Sequence, residues 1–348
     1  DSALGAATTA ASVIAIGADA MSLVPASQAV TGVVAVGQNA FKGAAGTTTG
    51  ANYTIAVGMD SLKALTTGAA NTAVGYQAGA EFTTGGYNTA IGYEAMHDTG
   101  GRPASGYNTA VGHNSMGGQW GTGADVGYNT AVGRGTMAAA LDGASNNVAV
   151  GNNSLGALTS GDNNTIIGSL AGDGFDAESD NTFIGYKAGT GSGSAASCVA
   201  VGSDSLAGAI TQDGSVAIGY QSLNALTTGA GNVAVGYQSL TSVTVGDDNV
   251  AVGKQALYSM NTADGNDNNI AIGTSALYTA GGSSNVAMHN IAIGTNALKL
   301  NQTGDFNIGI GANAGTALTA AGKTIAIGEG ALKGVATQDG TVAIGYEA

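Results

Sequence analysis

One phrase constrains this chain more than any other feature. "NTAVGYQAG" (residues 71–79) returns as "NTAIGYEAM" 17 residues later, and variants of it run from end to end. Indexed on the glycine after Val or Ile, the copies fall at Gly17, Gly37, Gly58, Gly75, Gly92, Gly112, Gly133, Gly151, Gly168, Gly185, Gly202, Gly219, Gly236, Gly253, Gly273, Gly294, Gly311, Gly328 and Gly345. The commonest spacing is 17; three times a spacing of 20 is followed by one of 21, and one spacing is 18. A fixed short period means that each copy is one structural unit which buries its apolar face only by stacking on its neighbours.

The columns of the repeat are strict. Val or Ile precedes the glycine in all 19 copies, and Ala stands two before it in 16, with Ile166, Phe183 and Gly309 as exceptions. The residue three before is always Val, Ile or Thr, and the one four before is most often Asn. The third residue after the glycine is always Ala, Ser or Thr, often followed by Leu or Met. Alternation with period two is the mark of a strand. The unit is too short and regular for a helix-turn-helix. It predicts an all-β fold, a parallel β-solenoid (β-roll) of about 19 coils, stacked about 4.8 Å apart.

Physical readings follow for each column. The β-branched pair is expected to face a core, with Val74, Ile91, Ile218 and Val235 as examples. The opposite face is then small: Ala73 and Gly75, Ala90 and Gly92, Ala217 and Gly219, Ala234 and Gly236 are expected to pack against copies of the same chain. Asn71, Asn88, Asn108 and Asn232 are expected to form a hydrogen-bonded ladder at a turn. Glycines in the "TTG" and "TSGD" corners are expected to supply positive φ.

Composition narrows the function. The formal net charge is −14, which opposes binding to nucleic acid or anionic lipid. There is no apolar run long enough for a transmembrane helix. The single Cys198 forms no internal disulfide. Residues 1–348 read as one repetitive domain and, since the chain opens at Asp1 and stops inside the repeat phrase, as a piece of something longer.

The phrases "SVAIGYQSL" (residues 215–223), "NVAVGYQSL" and "NTAVGYQAG" resemble the head repeats of YadA-like trimeric autotransporter adhesins. With "TTG" corners they are also similar to repeats in bacteriophage tail-fibre proteins. The resemblance covers about residues 13–348. It implies a left-handed β-roll, a side-by-side homotrimer, and a structural, extracellular role in attachment to a host-surface glycan or receptor, on a virion or a cell surface. The longer coil stands closer to the phage type. Coiled-coil stalk heptads and membrane-anchor strands are absent from these residues. A bacterial adhesin head and a self-assembling filament are the alternatives.

Catalytic, metal and cofactor motifs are missing, so no enzyme activity and no cofactor are expected. The acidic corners "SGDNN" (160–164), "VGDDN" (245–249) and "GNDNN" (265–269) offer oxygens for calcium, but the plain-turn reading is preferred. Six copies carry Tyr after the glycine, read as packing between chains. An ice-binding Thr array is disfavoured, because Thr takes the third place before the glycine in only six copies. Both prolines, the only tryptophan and the three histidines lie in the long coils. His97, Arg102, His113, Trp120 and His289 are therefore candidate loop contacts for a ligand, with packing preferred for Trp120.

Overall fold

The computed structural model describes residues 12–25, 30–44, 48–99, 105–121, 123–191, 193–260, 266–280, 287–335 and 338–348. The chain is an all-β parallel solenoid with the 17-residue coil read from the sequence, and no helix occurs among these residues. It divides into two compact units, residues 1–179 and 180–348. The first carries nine strands of three residues, from Ile14–Ile16 to Thr165–Ile167. The second carries ten, from Thr182–Ile184 to Val342–Ile344, and two further two-residue strands, Ser259–Met260 and Thr279–Ala280.

Neighbouring coils pair in parallel and in strict register. In the first unit Thr72, Ala73 and Val74 lie beside Thr89, Ala90 and Ile91. In the second, Val216, Ala217 and Ile218 lie beside Val233, Ala234 and Val235. Long coils keep the same register: Thr89, Ala90 and Ile91 pair with Thr109, Ala110 and Val111 across a 20-residue spacing. A one-residue slip would exchange the two faces, so insertions are placed at corners. Adjacent long coils also meet there. Ser259–Met260 pairs with Thr279–Ala280, and the Trp120 N–H donates to the Asp98 carbonyl at 3.0 Å.

The two faces of the strand are the reverse of the expectation. Ala73, Ala90, Ala217 and Ala234 are fully buried inside their coils, while Ile91 and Ile218 are each 38% exposed and Val74 and Val235 are half-buried on the outside. The reason is room. The lumen of one coil is shared with buried side chains from its other walls, such as Leu62, Leu65, Phe82, Met96, Leu223 and Leu226. Nothing larger than alanine fits opposite a leucine. Two of the three exceptions, Phe183 and Ile166, obey the same volume rule. Phe183 replaces the alanine where the residue four after the index glycine is Gly189, and a Cβ on Gly189 would collide with the Phe183 ring. Ile166 is likewise matched by Gly172.

The index glycines serve the stacking of coils within one chain. Gly75, Gly92, Gly219 and Gly236 all have φ near +130 to +141°, and each stacks directly on the next glycine of its own chain. A Cβ on Gly236 would lie 2.5 Å from the Gly253 carbonyl oxygen. At the other corner, Gly68 and Gly229 sit close beneath the next coil's backbone rather than at positive φ. The left-handed residue there is the fifth before the index glycine, and it is usually not glycine: Ala70, Tyr87 and Tyr107 have φ of 57, 60 and 61°.

The asparagine column is a buried ladder. Asn88 N–H donates to Asn71 Oδ1 at 2.9 Å, and Asn108 N–H donates to Asn88 Oδ1 at 3.0 Å. In the second unit Asn232, Asn249, Asn269, Asn290 and Asn307 repeat the pattern. Asn249 Oδ1 accepts both N–H groups of Asn269, at 3.0 and 3.1 Å, and Asn249 Nδ2 donates to the Asn266 carbonyl at 2.8 Å. Asn249→Ala strips these partners from buried groups, each worth about 1–3 kcal/mol when orphaned. The expected loss of stability is about 2–4 kcal/mol, measured as a lowered urea midpoint.

Candidate functional site

Four outward columns make one broad face. Positions five, three and one before the index glycine and one after it share the same side of the strand run. The inner columns carry Val, Ile or Thr, and the outer ones carry runs of stacked aromatic rings among small and polar residues. In the first unit Tyr87, Tyr107 and Tyr128 stack with ring centroids 4.9 and 5.0 Å apart and planes within 2°. On the other rim Tyr76, Tyr93 and His113 stack at 5.0 and 5.2 Å. Tyr220 and Tyr237 do the same in the second unit, at 5.4 Å. These spacings are set by the coil repeat, so the rings meet because the backbones stack. Between the rims run exposed residues such as Ile55, Ile91 and Ile167 in the first unit, and Ile218, Ile272 and Ile293 in the second.

Ring stacking limits what the aromatic rims can do. Each interior ring has both faces covered and shows solvent only its edge and hydroxyl. Glu94 beside Tyr93 raises that phenol above its ordinary value, with smaller contributions from burial and from Tyr76. The rims are therefore suited to contact with another flat surface more than to face-on capture of small rings.

The loop candidates are scattered. Trp120 is only 2% exposed, and its indole N–H donates to the Met116 carbonyl at 3.2 Å. It is enclosed at a corner, where its backbone meets Asp98 of the preceding long coil, and so offers no ligand contact. His113 ends the Tyr76–Tyr93 stack and is exposed. His289 stacks on Phe306 at 4.9 Å in the second unit, in the same column as the outer tyrosines. His97 is half-buried, and Arg102 lies outside the described residues. Among the described residues these candidates stand in separate contacts and not in one shared site. The outer aromatic column, visible in retrospect as the recurring "GYN" of residues 86–88, 106–108 and 127–129, is what sequence reasoning missed.

The acidic corners have a structural use. Asp162 Oδ1 accepts the Ser145 N–H at 2.7 Å, Asp247 Oδ1 the Ala230 N–H at 2.7 Å, and Asp267 Oδ1 the Asp247 N–H at 2.8 Å. Each carboxylate ties its coil to the preceding one. Among the described residues no three His, Cys, Asp or Glu side chains converge as metal ligands. Cys198 occupies an asparagine position of the ladder; burial pushes its thiol above the ordinary value, and it donates to the Ala196 carbonyl at 3.4 Å. No described helix is long and apolar enough to cross a membrane.

Compared with known proteins, the chain matches no family model and no curated protein.

Proposed function

We propose that this chain is a structural fibre segment acting in attachment, and that three copies associate side by side through the outward sheet face. The observation that carries the reading is that face: exposed Val and Ile beside Thr, flanked in stretches by stacked aromatic rings and left uncovered by the chain's own coils. Monomeric proteins rarely expose a contiguous apolar patch above a few hundred Å². Each exposed Ile offers roughly 0.5–1 kcal/mol on burial, so the paired columns of one unit offer on the order of 10 kcal/mol. That is of the same order as the 4–15 kcal/mol lost on association. The resemblance to adhesin heads and phage fibres supplies the number three and the extracellular, virion or cell-surface setting. A bacterial adhesin head is the alternative within the same reading, and no enzymatic role is assigned.

The test is the molar mass in solution by light scattering. A mass of three times the 33.3 kDa chain is expected, falling to a folded monomer when Ile91→Asp and Ile218→Asp are combined. A wild-type monomer would sink the proposal. Very large, polydisperse particles would point instead to filament growth at exposed strand edges.

A further inference from the structure

A groove on the first unit breaks the regular surface. It has a volume of about 330 Å³ and is lined by His113, Asn114, Arg134, Gly135, Asn153 and Asp173 among others. The second residue after the index glycine forms side-chain pairs between coils elsewhere. Asn39 Nδ2 donates to Asp60 at 2.8 Å, Gln238 Nε2 to Gln221 at 2.9 Å, and Asn296 Nδ2 to Asn313 at 3.2 Å. Gly135 interrupts that column between Asn114 and Asn153.

The backbone does not require glycine there. Gly135 has φ +63°, and Asn114 and Asn153 adopt φ of 53 and 49° at the same position of adjoining coils. What glycine provides is the missing side chain: a Cβ at Gly135 would run into the Asn153 amide oxygen. Gly156 makes similar room, since a Cβ there would lie 2.5 Å from Asp173 Oδ1. Burial raises the Asp173 carboxyl above its ordinary value. Among the described residues Arg134 makes no ion pair, although it shares the groove with Asp173. At the corresponding Gly330 of the second unit, the groove instead holds the Lys333–Glu347 ion pair at 3.2 Å.

We propose that this groove, at the outer edge of the outward face and beyond the Val and Ile columns that bring copies together, binds an acidic sugar unit, with Arg134 taking its carboxylate, Asn114, Asn153 and Asp173 its hydroxyls, and the outer face of His113 its ring. The guanidinium fork matches a carboxylate in two parallel hydrogen bonds. Amides present donor and acceptor side by side, as neighbouring hydroxyls require. The His113 stack ends at this point because the next residue in its column is Arg134, which carries no ring. The volume lies at the small end of ligand pockets and suits one or two sugar rings. The inference deepens the attachment reading, and rests on it for the ligand's source, a host-surface glycan.

The experiment is calorimetric titration of the full chain with trigalacturonic acid, against the neutral trisaccharide maltotriose. Saturable binding of the acid is expected, at least about tenfold tighter than of maltotriose. Arg134→Ala should weaken it by about tenfold or more, and Gly135→Asn, which restores the side-chain column, should abolish it. Thermal melting of Arg134→Ala should match the parent chain, because position 134 is exposed; Gly135→Asn should melt only slightly lower, because asparagine holds this φ in neighbouring coils and the new Cβ displaces only the end of the Asn153 side chain. No saturation at about 10 mM acid, or unchanged binding in Gly135→Asn, would overturn the proposal. So would a Gly135→Asn variant that changes the molar mass, since the groove would then be a contact between copies. The mass of the unliganded parent chain separately tests the fibre reading, so the two failures are distinguishable.

Discussion

Gly236→Ala is expected to be among the most damaging single substitutions in the chain, lowering stability by about 3–5 kcal/mol. Two effects add. The backbone holds φ at +139°, a region closed to residues with a Cβ. The new methyl would also lie 2.5 Å from the Gly253 carbonyl oxygen and 2.7 Å from its carbon, and neither atom can yield. Gly253 is itself stacked beneath Gly273, so relief would have to propagate along the coils. The urea midpoint, followed by circular dichroism, measures the loss. Gly214→Ala is the control. Its φ is +79°, but a Cβ there meets nothing within 4 Å, so only the conformational penalty of about 1–2 kcal/mol remains. Equal losses at the two positions would show that backbone conformation, and not the close approach of coils, dictates the glycine column.

Ala217→Phe is expected to lower stability by about 3 kcal/mol or more, because the added ring enters a lumen already filled by Leu223 and Leu226. Leu223→Gly on its own opens a cavity and is expected to cost about 3–5 kcal/mol. Combined, the two changes copy the Phe183–Gly189 arrangement found two coils earlier in the same unit. The double variant is therefore expected to recover most of the loss, a non-additive result that a thermal melt would reveal. Additive losses would refute the volume rule. If Ala217 faced outward, as the alternation of apolar size suggests, Ala217→Phe would instead be nearly neutral and Leu223→Gly would not respond to it.

The same two residues show how far the sequence alone reaches. Period-two alternation and the 17-residue recurrence determined the strand and its parallel partner, and that register survives the longer coils, because a slip of one residue would exchange the two faces. Asn71, Asn88 and Asn108 declared their ladder by recurring at one position, since identical amides one above another satisfy each other. Which face of the strand is the inside was decided only in three dimensions. Hydrophobicity points Ile218 inward and Ala217 outward, and it does so wrongly. The lumen is bounded by walls that lie some six to nine residues further along the chain, and their leucines leave space for a methyl group alone. Two signs of this were legible: threonine is accepted three before the glycine, and Phe183 and Ile166 coincide with glycine four after it. The candidate groove had no such sign. Gly135 is one glycine among 60, and its meaning depends on Asn114, Asn153 and Asp173, which belong to other coils and reach it only because the chain winds back beneath itself.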